Sequence, residues 1–244
     1  MKISTIKVSL IDHMGSDLSI VNAARVSFDK ESEWVAGEEI REEIVTGFIR
    51  ISHKKVLSDR DSKLVRYLAK HKHTSPFNHC FATFRVKAPI FVARQLVKHK
   101  FMPWNEVSRR YVDSEPEFFL PEGWRKKADN VKQGSSEEPV DLSPIEDMTN
   151  EDGCLFLPEE AVGVALATYR AMLKLGVCPE QARMVLPQNT MTEWIWSGTL
   201  GAWADMCRLR LDSHTQKETQ LVATEVAREL EKLFPVGFKA LMEA

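Results

Sequence analysis

The sequence predicts a mixed α/β fold of the α+β kind, with strands and helices in a single domain. Three observations carry this. First, residues 79–87 alternate, with Cys80, Ala82, Phe84 and Val86 on one side and Phe81, Thr83, Arg85 and Lys87 on the other. That is the two-residue period of a half-buried strand. Second, Leu64, Val65, Tyr67 and Leu68 recur at helical spacing behind Asp61-Ser62, which could cap a helix. Third, the last third of the chain holds helix-length segments at about 159–175, 191–211 and 214–233. The first of these stops at Gly176, a C′ glycine, and Pro179 begins a further one.

The other elements follow in order. Met1 to Val8 reads as a short strand, residues 14–17 as a turn and Leu18 to Ala24 as a helix. Residues 31–60 are charged and mixed, which suggests surface structure that is helical in parts. A His-rich turn, Lys70 to Pro76, closes the helix that begins near Asp61. Ala88-Pro89 opens a helix with proline at the tolerated first position, and Ile90, Phe91, Val92, Ala93, Leu96 and Val97 form its apolar body. In such a helix Arg94 and Lys98 share a face, and Gln95 and His99 share the neighbouring strip. Pro116, Pro121, Pro139, Pro144 and the triplet Gly134-Ser135-Ser136 argue against a compact core at 112–157. That stretch reads as a surface excursion within one domain spanning 1–244. No repeat is visible.

Composition narrows the function. A hydrophobic share of 43% and a charged share of 28% are ordinary for a soluble globular protein. The formal net charge of −2 gives no global basic field, so the positive charge at 94–110 is local and stable nucleic-acid binding is not expected. No apolar run reaches the roughly 18–20 residues that span a bilayer. The N-terminus lacks the apolar stretch and cleavage site of a signal peptide, so no membrane partner and a cytoplasmic location are expected. None of Cys80, Cys154, Cys178 and Cys207 lies within four residues of another. No zinc knuckle or redox pair is therefore expected, and the cysteines read as buried thiols of a reducing compartment. No metal site is predicted.

The chemistry concentrates in the run Lys98 to Tyr111, which packs cationic, imidazole, amide, carboxylate and hydroxyl groups beside an apolar helix. Burying unpaired charge is costly, so such a run suits a pocket for an anionic, hydrogen-bonding ligand. Three further sets stand out: His73-Thr74-Ser75, Arg183 among apolar neighbours, and Asp205 to His214. Each also has a plainer reading as a solvated turn or a charged helix face. No Gly-x-Ser-x-Gly elbow, dinucleotide fingerprint or Walker loop is present. Arginine forks and hydroxyls would have to hold any phosphate.

At these residues the sequence resembles a family. Arg94-Gln95, then Lys98-His99-Lys100, then Asn105 to Tyr111 is similar to the signature of flavin-dependent thymidylate synthase (ThyX), Arg-His-Arg followed after seven residues by Ser. Ala24-Arg25-Val26-Ser27-Phe28, His73 to Phe77, Val86 to Gln95, Ala182 to Pro187 and Leu209 to His214 resemble the family in the same order. The resemblance spans most of the chain apart from 31–60 and 112–157.

The resemblance implies a central, mostly antiparallel sheet flanked by helices and a homotetramer. It implies conversion of dUMP to dTMP, with methylenetetrahydrofolate as one-carbon donor, FAD as the hydride carrier and NADPH as reductant. The implied dUMP residues are Arg94, Gln95, Leu96, Val97, Lys98, Glu106, Val107, Ser108, Arg109, Arg110, Arg183 and Arg210. The implied FAD residues are Ser27, His73, Ser75, Lys98, His99, Lys100, Glu106, Thr199, Leu200, Gly201 and Asp205. Arg210 matches the arginine proposed to activate the uracil, and no cysteine nucleophile is required.

The chain departs from the family pattern. Lys98 and Lys100 stand where arginines are usual, keeping the charge without the fork. Asp205 replaces a common asparagine, and Thr199, Gly201, Pro103 and Arg109 also differ. Two other readings stay open: a related flavoenzyme that modifies another pyrimidine nucleotide, for instance by hydroxymethylation, and a nucleic-acid module using the 94–110 patch with Phe101, Trp104 and Tyr111.

Overall fold

Two strands that run straight into helices organise the chain. A computed structural model describes residues 1–45, 48–129, 135–147 and 157–244; Cys154 and Gly134 lie outside these. In order, the first elements are β1 (Lys2–Ile3), β2 (Lys7–Met14), α1 (Asp17–Arg25), β3 (Val35–Val45), β4 (Phe48–Val56), α2 (Asp59–Lys70), β5 (Phe81–Pro89) and α3 (Ile90–Leu96). They are followed by β6 (Trp104–Glu106), β7 (Glu117–Phe118), β8 (Trp124–Lys127), β9 (Ser135–Val140), α4 (Pro158–Lys174) and α5 (Pro179–Ala182). The chain closes with β10 (Met191–Thr199), α6 (Leu200–Arg210), α7 (Lys217–Leu233) and α8 (Gly237–Met242). Short 3₁₀ turns at Val26–Phe28, Ser75–His79, Ser143–Asp147 and Arg183–Val185 join some of them.

The class is mixed α/β. The largest sheet has four strands in the order β2-β5-β10-β6, and β10 and β6 pair antiparallel with Trp194 opposite Glu106 and Trp196 opposite Trp104. β3–β4 and β8–β9 are antiparallel hairpins, and β1 pairs parallel with β7.

The residues group into two compact units. The first comprises Met1–Ser9, Phe84–Trp196 and Leu209–Val226. One part of its core is Phe118, Val162, Leu166, Tyr169 and Ala182, backed by Met172, Leu173, Val185 and Leu186. Trp104 stacks on Trp194 with ring centroids 4.4 Å apart and meets Trp196 edge-on at 5.4 Å. Glu117 accepts from Lys2 Nζ and Lys87 Nζ, each at 2.5 Å. Those two ammonium groups hold its carboxyl down at about 2.

The second unit comprises Leu10–Thr83, Ser197–Arg208 and Ala227–Ala244. Ile20, Val65, Phe77, Ala82, Leu200, Trp203, Phe234 and Phe238 are buried there. Asp17, also buried, accepts the backbone N–H groups of Val236 and Gly237 at 2.8 Å each, at the start of α8. Burial raises its pKa against the pull of those two bonds. Gly237 is needed at this close approach, since a Cβ there would lie 2.4 Å from Ile20 Cδ1. Asp61 anchors α2: Arg25 Nη2 reaches it at 2.5 Å, Ser32 Oγ at 3.0 Å and Ser58 Oγ at 2.7 Å. Burial opposes ionisation of Asp61, but the bonds from Arg25, Ser58 and Ser32 outweigh it and keep its pKa below the usual range.

The structure agrees with the expected strand at 79–87, whose Cys80, Ala82, Phe84 and Val86 are all buried. It agrees with the helix from about 159 to 175, which ends before Gly176 at φ +87°. Several expectations are corrected. Residues 31–60 contain the β3–β4 hairpin in place of helix. The expected helix at 191–211 is a strand followed by a helix, because Trp194, Trp196 and Gly198 are buried at a period of two. The N-terminus supplies two strands. The cap of α2 is Ser58, whose Oγ accepts the Asp61 N–H at 3.1 Å. Residues 112–157 are not wholly superficial, since Phe118 joins a core. Cys80 and Cys207 are buried, but Cys178 is exposed.

Candidate functional site

The implied dUMP residues all fall in the first unit. α3 leaves β5 at Pro89, which serves as its N-cap, and ends at Leu96. The helix is thus shorter than expected, so Lys98 and His99 follow it in a turn and the shared face of Arg94 and Lys98 does not form. Phe101 in that turn has φ +60°, and Pro103 cannot continue a helix. Arg94, Val97, Lys98 and Lys100 are exposed, Gln95 and His99 are half-buried and Leu96 is buried.

Arg210, the last residue of α6, closes on this turn. Its Nη2 donates to the Gln95 carbonyl at 2.7 Å and its Nε donates to His99 Nε2 at 3.0 Å. His99 therefore presents an unprotonated Nε2 to the guanidinium. Burial lowers the pKa of Arg210. A partly desolvated guanidinium acts on a nearby anion more strongly than one in water. The Gln95 amide is itself held, its Nε2 donating to Gln216 Oε1 at 2.6 Å.

A second group gathers beyond β6. A cavity of about 120 Å³ is lined by Glu106, Val107, Arg109, Arg183 and Thr192, among others. Glu106 accepts from Thr192 Oγ1 at 2.7 Å and from Trp104 Nε1 at 3.0 Å, so both of its oxygens are aimed. Ser108 Oγ accepts Arg110 Nε at 3.2 Å, and the Arg110 guanidinium lies 4.9 Å from the Tyr111 ring centroid. Arg109 Nη1 donates to the Ser114 carbonyl at 2.9 Å. Arg183 is exposed on its 3₁₀ turn, tied only loosely to the Glu180 carbonyl at 3.3 Å. Guanidinium groups and hydroxyls can bind a phosphate, and a carboxylate can accept from the polar edge of a base.

Of the implied FAD residues, Lys98, His99, Lys100 and Glu106 belong to the first unit and the other seven to the second. Ser27 and His73 line one cavity of about 640 Å³, with Arg25, Phe28 and Tyr67. His73 and Asp205 line another of about 420 Å³, with Thr74 and Arg208. His73 thus stands between the two, its ring nearly parallel to Tyr67 with centroids 6.2 Å apart. Ser75 is exposed at the start of its turn. Thr199 Oγ1 accepts the Ala202 N–H at 3.3 Å, and the Leu200 N–H donates to the Cys80 carbonyl at 2.8 Å. A Cβ on Gly201 would lie 3.0 Å from Asn78 Oδ1. Asp205 is paired with Arg208. Within the second unit, cavities with aromatic and imidazole walls have the chemistry that a flavin ring requires.

Sequence reasoning named none of Tyr67, Thr192 and Gln216 as site residues, and it gave Arg208, within the singled-out run Asp205 to His214, no role of its own. Arg208 had a signal, one helical turn from Asp205. Gln216 had none, since its partner lies 121 residues away.

Comparison with known proteins points one way. The family profile described as Thymidylate synthase complementing protein matches residues 9–236. A flavin-dependent thymidylate synthase of Thermus thermophilus is 36% identical over 236 residues, which is 97% of this chain and 75% of that protein. One from Kosmotoga olearia is 35% identical over 235 residues, 96% of this chain and 89% of that protein. Among solved structures, the UMP/dUMP methylase PolB from Streptomyces cacaoi bound with 5-Br dUMP superposes with a TM-score of 0.75 at 28% identity, covering 100% of this chain and 97% of that one.

Proposed function

The chain belongs to the thymidylate synthase complementing protein family, and from that premise we propose how its residues serve the reaction. It is a flavin-dependent thymidylate synthase, an enzyme that converts dUMP to dTMP. The observation that carries the reading of the site is the placement of Arg210 against both His99 and the Gln95 carbonyl. Two of the stretches that resemble the family, more than a hundred residues apart, meet there.

In this reading Arg94, Gln95, Leu96, Val97 and Lys98, with Glu106 to Arg110, Arg183 and Arg210, bind dUMP. Arg183, Arg109 and Arg110 take the phosphate, with Ser108 as hydroxyl donor. Arg210 stabilises negative charge developing on the uracil ring, which polarises the base without an enzyme nucleophile. Ser27, His73, Ser75, Lys98, His99, Lys100, Glu106, Thr199, Leu200, Gly201 and Asp205 hold FAD, with Lys98 and Lys100 toward its phosphates. Bound flavin supplies the hydride that reduces the transferred one-carbon unit to a methyl group. Methylenetetrahydrofolate donates that carbon, NADPH restores the flavin, and the working form is a homotetramer of single-domain chains in the cytoplasm. High burial of Cys80 and Cys207 is consistent with chemistry that spares cysteine.

The test is direct. The purified protein is examined for flavin absorbance and then given dUMP, methylenetetrahydrofolate and NADPH, with UMP in a parallel reaction. Flavin absorbance and dTMP that depends on all three substrates are expected. Flavin without dTMP would refute the reaction, and oligonucleotide binding without flavin would refute the whole assignment.

A further inference from the structure

We propose that Arg125, Glu218 and Gln216 are positioning residues for the nucleotide, acting through Gln95, and that this is what the 112–157 excursion contributes to the enzyme. The inference rests on reading Gln95 as a dUMP residue.

The observations form a chain within the first unit. Arg125, on β8, makes a two-pronged ion pair with Glu218, from Nη2 to Oε1 at 2.8 Å and to Oε2 at 3.1 Å. The Glu218 side chain is only 7% exposed, so this pair is shielded from solvent. Arg125 Nε also donates to Ser135 Oγ at 2.8 Å, which fixes the guanidinium across the β8–β9 hairpin. Next to it, Lys217 Nζ reaches Glu137 of β9 at 3.3 Å. The excursion thus grips the first turn of α7 at two consecutive residues. An acid in a first helical turn also suits the helix dipole.

Gln216 is the residue just before that turn. Its carbonyl accepts the N–H groups of Thr219 at 2.9 Å and Gln220 at 3.0 Å, so its backbone is set by the helix start. Gln220 Nε2 donates back to the carbonyls of Thr215 at 2.9 Å and Asp212 at 3.0 Å, which shapes the loop that follows Arg210. From this held backbone, Gln216 Oε1 accepts Gln95 Nε2 at 2.6 Å. The Gln95 carbonyl in turn accepts Arg210.

The logic is entropic. A hydrogen bond between a half-buried and an exposed amide is weak, because each side chain loses rotamer freedom in making it. It persists where both backbones are already fixed. α3 fixes Gln95, and the shielded pair of Arg125 with Glu218 fixes Gln216. With its N–H committed to Gln216, Gln95 presents its remaining amide groups in one orientation. Loss of the grip lets the amide rotate, and the nucleotide must then order it on binding.

The experiment measures the dissociation constant for dUMP on the full-length protein, together with steady-state kcat and KM. Gln216→Leu removes the acceptor from an exposed position, so it leaves the fold intact. It is expected to weaken dUMP by about tenfold, as a rise in KM with kcat within about twofold of the parent. Glu218→Gln should weaken dUMP in the same sense, and the exchanged pair R125E/E218R should recover most of the loss. The decisive arm is the Gln95→Ala background, where Gln216→Leu and Glu218→Gln should add nothing. If Gln95→Ala weakens dUMP and Gln216→Leu does not, the inference is overturned and the reading of Gln95 stands. An undiminished effect of Gln216→Leu in the Gln95→Ala background overturns it equally. If Gln95→Ala itself leaves dUMP binding unchanged, the reading of Gln95 falls and takes the inference with it.

Discussion

Replacing Glu117 by Gln should cost the protein about 2 kcal/mol at neutral pH, and the cost should vanish in acid. Glu117 lies between Lys2 and Lys87, each at 2.5 Å, and its carboxyl sits near 2 against an ordinary value of 4.5. At about 1.4 kcal/mol per pH unit, that depression is worth about 3 kcal/mol when the group is ionised in both states. Lys2 is 65% exposed and water screens its share, so about 2 kcal/mol is the working figure. Glutamine keeps the shape and removes the charge, leaving the part-buried Lys87 ammonium without a counter-ion. The folded-state value is the lower one, so the stabilisation is present above the unfolded value and is lost as pH falls through the folded value. Urea unfolding of parent and variant at pH 7 and at about pH 3 checks this. The gap between them should shrink to under half at the lower pH. A gap that is equal at both pH values, or one below about 0.5 kcal/mol at pH 7, would refute the assignment of an ion triplet joining β1, β7 and β5.

Three further outcomes are expected. Asp61→Asn leaves Arg25 facing a neutral amide inside the second unit, and should cost about 3–5 kcal/mol in urea unfolding; a loss under 1 kcal/mol would show that the pair is solvated. Arg210→Ala should lower dTMP formation by about a hundredfold or more while flavin absorbance is retained, and turnover within tenfold of the parent would remove Arg210 from the chemistry. Burial pushes the Cys80 and Cys207 thiols up to about 12, so in the native protein alkylation at pH 8 should label Cys178 ahead of both. Rapid labelling of Cys207 by peptide mapping would contradict its burial.

The sequence revealed elements whose burial has a single period. β5 was visible because its inward residues are all apolar, and α4 because Gly176 punctuates its end. β10 was read as helix because it passes directly into α6, so one largely apolar stretch hid two periods. The β3–β4 hairpin was missed for a related reason. Ile40 and Ile44 are spaced as on a helix, and its many Glu and Lys residues are poor strand formers. Its side chains are mostly exposed, Phe48 at 72% and Ile49 at 61%, so no apolar alternation marks it. At the candidate site, Arg94, Lys98, Ser108, Arg183 and Arg210 were singled out by residue type and by the resemblance to the family. What spacing could not supply was their geometry. Arg210 meets His99 across 111 residues, and Gln216 meets Gln95 across 121, distances over which a local pattern carries no information.

The stacked indoles of Trp104 and Trp194, with Trp196 edge-on to Trp104, have an optical consequence. Aromatic transition dipoles held this close and this rigidly couple, giving the near-ultraviolet circular dichroism of the protein a strong, conformation-sensitive signature. Trp104 lies on β6 and donates to Glu106, and the Trp196 ring is 6.2 Å from that of His99. In the proposed site, nucleotide arriving at Glu106 or His99 should perturb an intrinsic chromophore. Occupancy can be followed in the unlabelled protein, with no turnover required.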